Sequence, residues 1–267
     1  MASLKDLRNR ISSVKSTKKI TSAMKMVAAA KLKKAQEKAI SARPYARKMN
    51  NIINSITESI KTEFPSPSLI SGTQKNDVIL LIICSADRGL CGGFNGSVTR
   101  QTKKIVSDLR SSGKKVKFIF VGKKAYNSLK SQFSDETIKV FSDIANPTIE
   151  FGIASEIRNE VVNIFNKEEF DVCHLIYTKF NSAISQEVVK TQLIPLNNQI
   201  VTSESKTTDE QYVYEFEPSE EEILKHVVPQ NLAIQIFTGL LESSASEHGA
   251  RMTAMDNATR NANDMID

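Results

Sequence analysis

Cysteine and histidine are scarce in this chain. Three cysteines (Cys84, Cys91, Cys173) and three histidines (His174, His226, His248) occur in 267 residues. The cysteines are odd in number and lack metal-ligand spacing, so neither a disulfide scaffold nor a structural zinc site is expected. A reducing compartment fits. No apolar run approaches the 18 or so residues of a membrane span. The N-terminus has no apolar core for a signal peptide, and no Ser-rich presequence precedes the first helical pattern. At 40% hydrophobic and 25% charged residues, the composition is that of a soluble, folded protein with room for one or two domains.

The charge is unevenly spread. Residues 1–61 hold 15 Lys/Arg and 3 Asp/Glu, a net +12, whereas the remainder holds 21 basic and 27 acidic residues, a net −6. The basic segment is also the most regular. Leu4, Leu7, Ile11, Val14, Lys18, Thr21, Lys25, Ala28, Leu32, Ala35, Ala39, Ala42, Ala46, Met49, Ile53, Ile56 and Ile60 follow an unbroken 3-4 step. That step predicts a supercoiling helix on the order of 85 Å long at 1.5 Å per residue. Pro44 should kink it without ending it. The alanine-rich centre of the seam permits close helix approach, and its Leu and Ile ends should grip harder. Lys18, Thr21 and Lys25 interrupt the seam, either to fix register or to face something else. Met24, Met26 and Val27 lie off the seam, as in a helix enclosed by other protein.

Phe64-Pro65-Ser66-Pro67 ends the rod, and a loop through Asn76 follows. Val78–Cys84 is a solid apolar run, expected of a strand buried on both faces. Helices are predicted over 96–111, 125–133 and, from Pro147, to about Phe165. Strands are predicted over 116–121, 138–141, 172–180 and 187–196, the last two as an antiparallel hairpin. This order implies a mostly parallel, Rossmann-like α/β domain over 77–196. Residues 197–211 read as a loop and Tyr212–Phe216 as an edge strand. Ser219 and Glu222 are spaced for a capping box. A second 3-4 register, bent near Pro229, then runs through Leu224, Val227, Asn231, Ile234, Thr238, Leu241, Ala245, His248, Met252, Met255, Thr259, Ala262 and Ile266. The expected fold is therefore α/β with a long antiparallel two-helix coiled coil, formed by segments 1–61 and 219–267 and projecting from the central domain. Residues near 60 would sit beside those near 220, and residues near 4 beside the C-terminus.

Gly89, Gly92, Gly93 and Gly96 follow a buried strand and precede a helix, where a phosphate loop would sit. Neither G-K-[ST] nor G-x-G-x-x-G is present, and Asp87 adds a negative charge, so a tight structural turn is favoured. Ser85 and Cys91 lack a triad context, and His174 reads as a core residue. The lysines of the first helix surround it and have no interleaved aromatics, which favours a solvated surface or an acidic protein partner over nucleic acid. A basic nucleic-acid-binding coiled coil and a small nucleotide-dependent enzyme remain the alternatives.

KITSAMKMVAAAKL (19–32) followed by RPYA (43–46), SADRGLCGGFN (85–95) and ASEHGARMTAMDNATRNA (245–262) resemble, in order, three segments of the gamma subunit of the F-type ATP synthase. The resemblance spans nearly the whole chain. It implies a non-catalytic rotor shaft without cofactor or nucleotide site, present once per complex. The shaft would penetrate the hexamer of alpha and beta subunits, with its α/β foot on epsilon and the membrane-embedded c-ring. It would couple proton flow to conformational change in the catalytic beta subunits. It would touch no nucleic acid and would meet the membrane only through the c-ring. That position is the cytoplasmic face of a bacterial inner membrane or, for a processed chain, the mitochondrial matrix face. Carried over by motif, Met24 and Lys25 would lie near an acidic loop of beta, with Arg251 and Met252 on the other helix of the same shaft region. Asp87, Arg88, Gly89, Gly92 and Gly93 would form a turn of the foot. Family members continue past the segment matching Asn263–Asp267 into a further helical stretch, so this sequence reads as a fragment or as a chain with a shortened tip.

Overall fold

The computed structural model describes residues 4–60, 68–145, 148–196 and 220–267, with side chains omitted at 50, 54–60, 220 and 221. Helix α1 (Leu4–Ile60) and helix α6 (Glu220–Ile266) are the two long helices. Both run unbroken through their internal prolines, Pro44 and Pro229. Between them lie α2 (Ser68–Ser71), β1 (Val78–Cys84), α3 (Phe94–Ser111), β2 (Lys115–Val121), α4 (Lys123–Phe133), β3 (Thr137–Phe141), α5 (Phe151–Asn166), β4 (Val172–Phe180) and β5 (Gln186–Ile194). The short α2 lies in the stretch expected to be loop. Helix α5 begins at Phe151, later than expected. Pro147, Tyr212–Phe216 and Ser219 lie outside the described residues.

The sheet order is β3-β2-β1-β4-β5, parallel except for the antiparallel β4–β5 hairpin. Strand β1 is apolar throughout because helices cover both of its faces. Ile79, Leu81 and Ile83 pack with Phe118, Phe120, Val98 and Leu129 under α3 and α4. Leu80, Ile82 and Cys84 pack with Ile157 and Val161 of α5 and with Leu232, Ile236 and Leu240 of α6. The carboxylate of Asp171 ties the entry to β1. It accepts hydrogen bonds from the backbone N–H groups of Asp77 (2.9 Å) and Val78 (3.0 Å) and from the Thr73 hydroxyl (2.7 Å). Burial works against its charge, but these donors hold it below the usual carboxylate range.

Helix α6 therefore has two neighbours. One side pairs antiparallel with α1, and the other lies on the sheet beside α5. The approach to the sheet is close at Gly239, where an added Cβ would stand 2.5 Å from Leu175 Cδ2. Asn231, Leu232, Ala233, Ile234, Ile236, Leu240, Leu241, Ser243, Ala245 and Ser246 are all buried, so this stretch is enclosed around its circumference. A simple projecting pair would leave half of those residues in solvent. Only the later part of α6 has that one-sided character.

The α1 seam is buried at Thr21, Ala28, Leu32, Ala35 and Ile53. Its N-terminal end is not the strong grip expected. Leu4, Leu7 and Ile11 are 77, 46 and 37% exposed. Thr21 faces Thr259, with hydroxyl oxygens 2.8 Å apart. Counting on from that pair brings Asp267 opposite Ser13, not opposite Leu4.

Candidate partner-binding shaft and glycine-rich turn

The polar interruption of the seam has partners inside the pair. Beside the Thr21–Thr259 contact, Lys25 donates to Asp256 at 2.5 Å, and Asp256 also receives Arg260 at 2.6 Å. The hydrogen bond from Lys25 is the largest influence on the Asp256 carboxyl and, with help from the Arg260 and Lys25 charges, holds it below its usual range against the opposing effect of desolvation. This is a register-setting layer: sliding either helix by one turn would separate the threonines and part the ion pair. Lys18, the third interruption, is exposed.

Met24 is half-buried. Met252 packs on the cluster of Leu32, Ala35 and Ala245 that closes the seam. Around this level α1 exposes large apolar side chains: Ile20 at 60%, Met26 at 65% and Val27 at 57%. Single exposed apolar residues are ordinary. Three within two turns, on a helix that already has a partner, form a surface suited to burial by another protein.

Arg251 is turned toward the α/β body. Its guanidinium pairs with Glu247 at 2.6 Å and donates to His248 Nδ1 at 3.2 Å and to the Gly89 carbonyl at 3.2 Å. Burial raises the Glu247 carboxyl and pushes His248 down to about 4, with Arg251 and then Lys31 adding to the latter shift. The turn itself is pinned at several points. Asp87 accepts the Lys123 N–H, and Asn95 bridges the Ala86 N–H and the Cys91 thiol. Gly92 takes φ +55°, a left-handed value, and sits against Ala254 and the Ala250 carbonyl. Arg88 lies close enough to favour the charge on Asp143. Gly93 opens α3 without a side-chain cap.

An α/β sheet of this order takes ligands where neighbouring strands part company, outside their carboxyl ends. That place lies between β1 and β4, and here α6 crosses it, with Ala250 and Ala254 against the glycine turn. Arg251 donates to the Gly89 carbonyl from the same helix, which ties the turn to α6. The nucleophile readings fare no better. The Ser85 hydroxyl is engaged by the Gly122 carbonyl and the Ala125 N–H. Burial raises the Cys91 thiol, keeping it protonated. His174 pairs across the sheet with Leu81, four residues from Ser85, or ~13 Å at strand spacing. Burial pushes it down to about 4.

The sequence pattern had marked Lys25, Thr21 and the glycine turn. It did not reveal Asp256, or the Arg251 bond to Gly89. Only Thr259 left a signal, as the polar residue at the matching level of the second seam.

A two-helix shaft fused to an α/β body, with its own helix laid across the ligand crevice, fits a mechanical or scaffolding subunit. The profile of the ATP synthase family matches residues 3–267. The ATP synthase gamma chain of Paramagnetospirillum magneticum is 51% identical over 266 residues, covering 100% of this chain and 90% of that one. That of Rhodospirillum rubrum is 48% identical over 270 residues with the same coverage. Among solved structures, the central stalk and c-ring assembly of Tetrahymena thermophila mitochondrial ATP synthase contains a chain that aligns with a TM-score of 0.65 at 28% identity. The alignment covers 90% of this chain and 99% of that one. A chain of the Euglena gracilis ATP synthase rotor shares the fold at 17% identity and a TM-score of 0.62, covering 98% and 92%. The chain belongs to the ATP synthase gamma-chain family.

Proposed function

We propose that this chain is the central-stalk rotor subunit of a proton-translocating ATP synthase. It is a non-catalytic part that passes rotation from a c-ring to the catalytic subunits. The carrying observation is the register-locked helix pair with Ile20, Met26 and Val27 exposed among lysines, which suits a rod housed inside a larger assembly. In this reading alpha and beta subunits surround the shaft, epsilon and the c-ring hold the α/β body, and one copy serves each complex. Met24 and Lys25 face the hexamer beside an acidic loop of beta. Arg251 and Met252 act from the second helix, with Arg251 also clamping the Asp87–Gly93 turn of the foot. No described helix is long and apolar enough to cross a membrane, and the peripheral position is assigned to the cytoplasmic face of a bacterial inner membrane. The bacterial origin of the gamma chains above supports that side over a mitochondrial matrix.

The test is reconstitution. The pure chain should not hydrolyse ATP, and it should co-purify with alpha and beta subunits from native membranes. Robust ATPase activity in the isolated chain would overturn the reading. Lys25→Glu should leave folding intact and lower proton pumping per ATP in reconstituted vesicles. Asp256→Ala, which removes the internal partner and leaves Lys25 in place, separates the two roles of Lys25. If it reproduces the full coupling loss, Lys25 acts through its own chain and not through beta.

A further inference from the structure

A cleft of about 200 Å³ opens where the shaft meets the α/β body. One wall is α1, with Lys31, Lys34 and Lys38 spaced along a single stripe. The second is α6, with Leu241, Ser244 and His248. The third is the segment entering α5, with Thr148 and Ile149. Ala35, Leu241 and Ile149 are buried apolar residues among these polar groups. Lys38 is held in place by donating to Thr148 Oγ1 and the Ile149 carbonyl, both at 3.0 Å, which leaves its ammonium one further donor. Among the described residues no carboxylate lines the space. Glu247 is bound to Arg251, Glu37 pairs with Lys33, and Glu242 pairs with Arg43. Among the described residues Lys31 and Lys34 have no ion-pair partner. His248 accepts from Arg251 at Nδ1, so its neutral ring carries the remaining proton on Nε2 as another donor.

We infer that this cleft binds a small phosphate-class oxyanion, held by Lys31, Lys34 and the free donor of Lys38, with Ser244 and His248 completing the polar lining. Three cations around a partly enclosed space with donors and no acceptor carboxylate match a tetrahedral oxyanion, whose oxygens accept charge-assisted hydrogen bonds in several directions. The space is too small for a nucleotide base and sugar as well. Occupancy would tie α1, α6 and the α5 approach together, and so stiffen the joint between shaft and body.

The experiment is calorimetric titration of the full chain with inorganic phosphate in chloride buffer, with the imidazole resonances of His248 followed in parallel by NMR. Saturable one-site binding with a Kd of about 1 mM or tighter, and a shift of the His248 ring signals, are expected. Lys31→Gln combined with Lys34→Gln should weaken binding at least about tenfold, whereas Lys33→Gln, on the same helix but outside the cleft, should change it by less than about twofold. Melting curves confirm that each variant folds. An absence of saturation, a His248 signal that does not move, or equal loss in the Lys33 variant would overturn the assignment. So would saturable binding of an acidic hexapeptide where phosphate does not bind, since the cleft would then serve a protein side chain.

Discussion

One helix lives in two environments. From Asn231 to Gly249, α6 is walled in by α1, α5 and the sheet, and even Asn231, Ser243, Ser246 and His248 are buried. From Arg251 onward it meets α1, the glycine turn and, through Thr253, the Ala183 carbonyl of the β4–β5 hairpin, and Asn257, Arg260 and Met265 are exposed. In the first environment position is set by shape, with Gly239 fitted against Leu175. In the second it is set by directional polar contacts, because small seam residues slide easily. Packing anchors the shaft and hydrogen bonding indexes it.

The comparison can be broken from the strong side first. Ile236→Ala should cost about 2–5 kcal/mol, because it leaves a cavity between α6 and the sheet, and the loss should appear as lower global stability in denaturant melts. Gly239→Val, which drives a side chain into Leu175, should cost about 1–3 kcal/mol through overpacking by the same measurement. Met255→Ala lies in the two-helix region. Its cost should show as faster hydrogen exchange near residues 14–28 and 252–267, with protection in β1 and β4 unchanged. If exchange rises throughout, the shaft and body unfold as one unit and the distinction fails. Thr21→Val should lose only about 0.5–1.5 kcal/mol, and Thr21→Val with Thr259→Val together less than the sum of the two single changes.

A pH titration sharpens the same contrast. His174 and His248 are pushed down to about 4 by burial, while unfolded histidine titrates near 6.5. Between these values the unfolded chain binds more protons, so stability should fall as pH drops from about 6.5 to about 4. Below that range both states are protonated, and these residues add no further loss. Both histidines lie in the packed region, so the loss should appear in the global melt. His248→Gln should flatten part of the slope.

Some features were plain in the residues. An uninterrupted apolar β1 means coverage on two faces, and a 3-4 repeat sustained from Val14 to Ile53 means a partnered helix. The three family segments carried the rotor reading. Other features were hidden by what a repeat reports. The second register named one stripe of α6 and passed over Leu232, Ile236 and Leu240, which face the sheet. Ser85, Cys91 and His174 could be demoted from the sequence for want of a motif, but their separation and hydrogen bonds are matters of geometry.

The sequence by itself determined the periodicities, the charge imbalance and the order of strands and helices, because these depend on neighbours a few positions apart. Tertiary structure decided which helix lies across the crevice over the sheet, which carboxylate answers Lys25, and where three lysines and a histidine converge. Those outcomes join residues more than a hundred positions apart, and no local pattern encodes their distance.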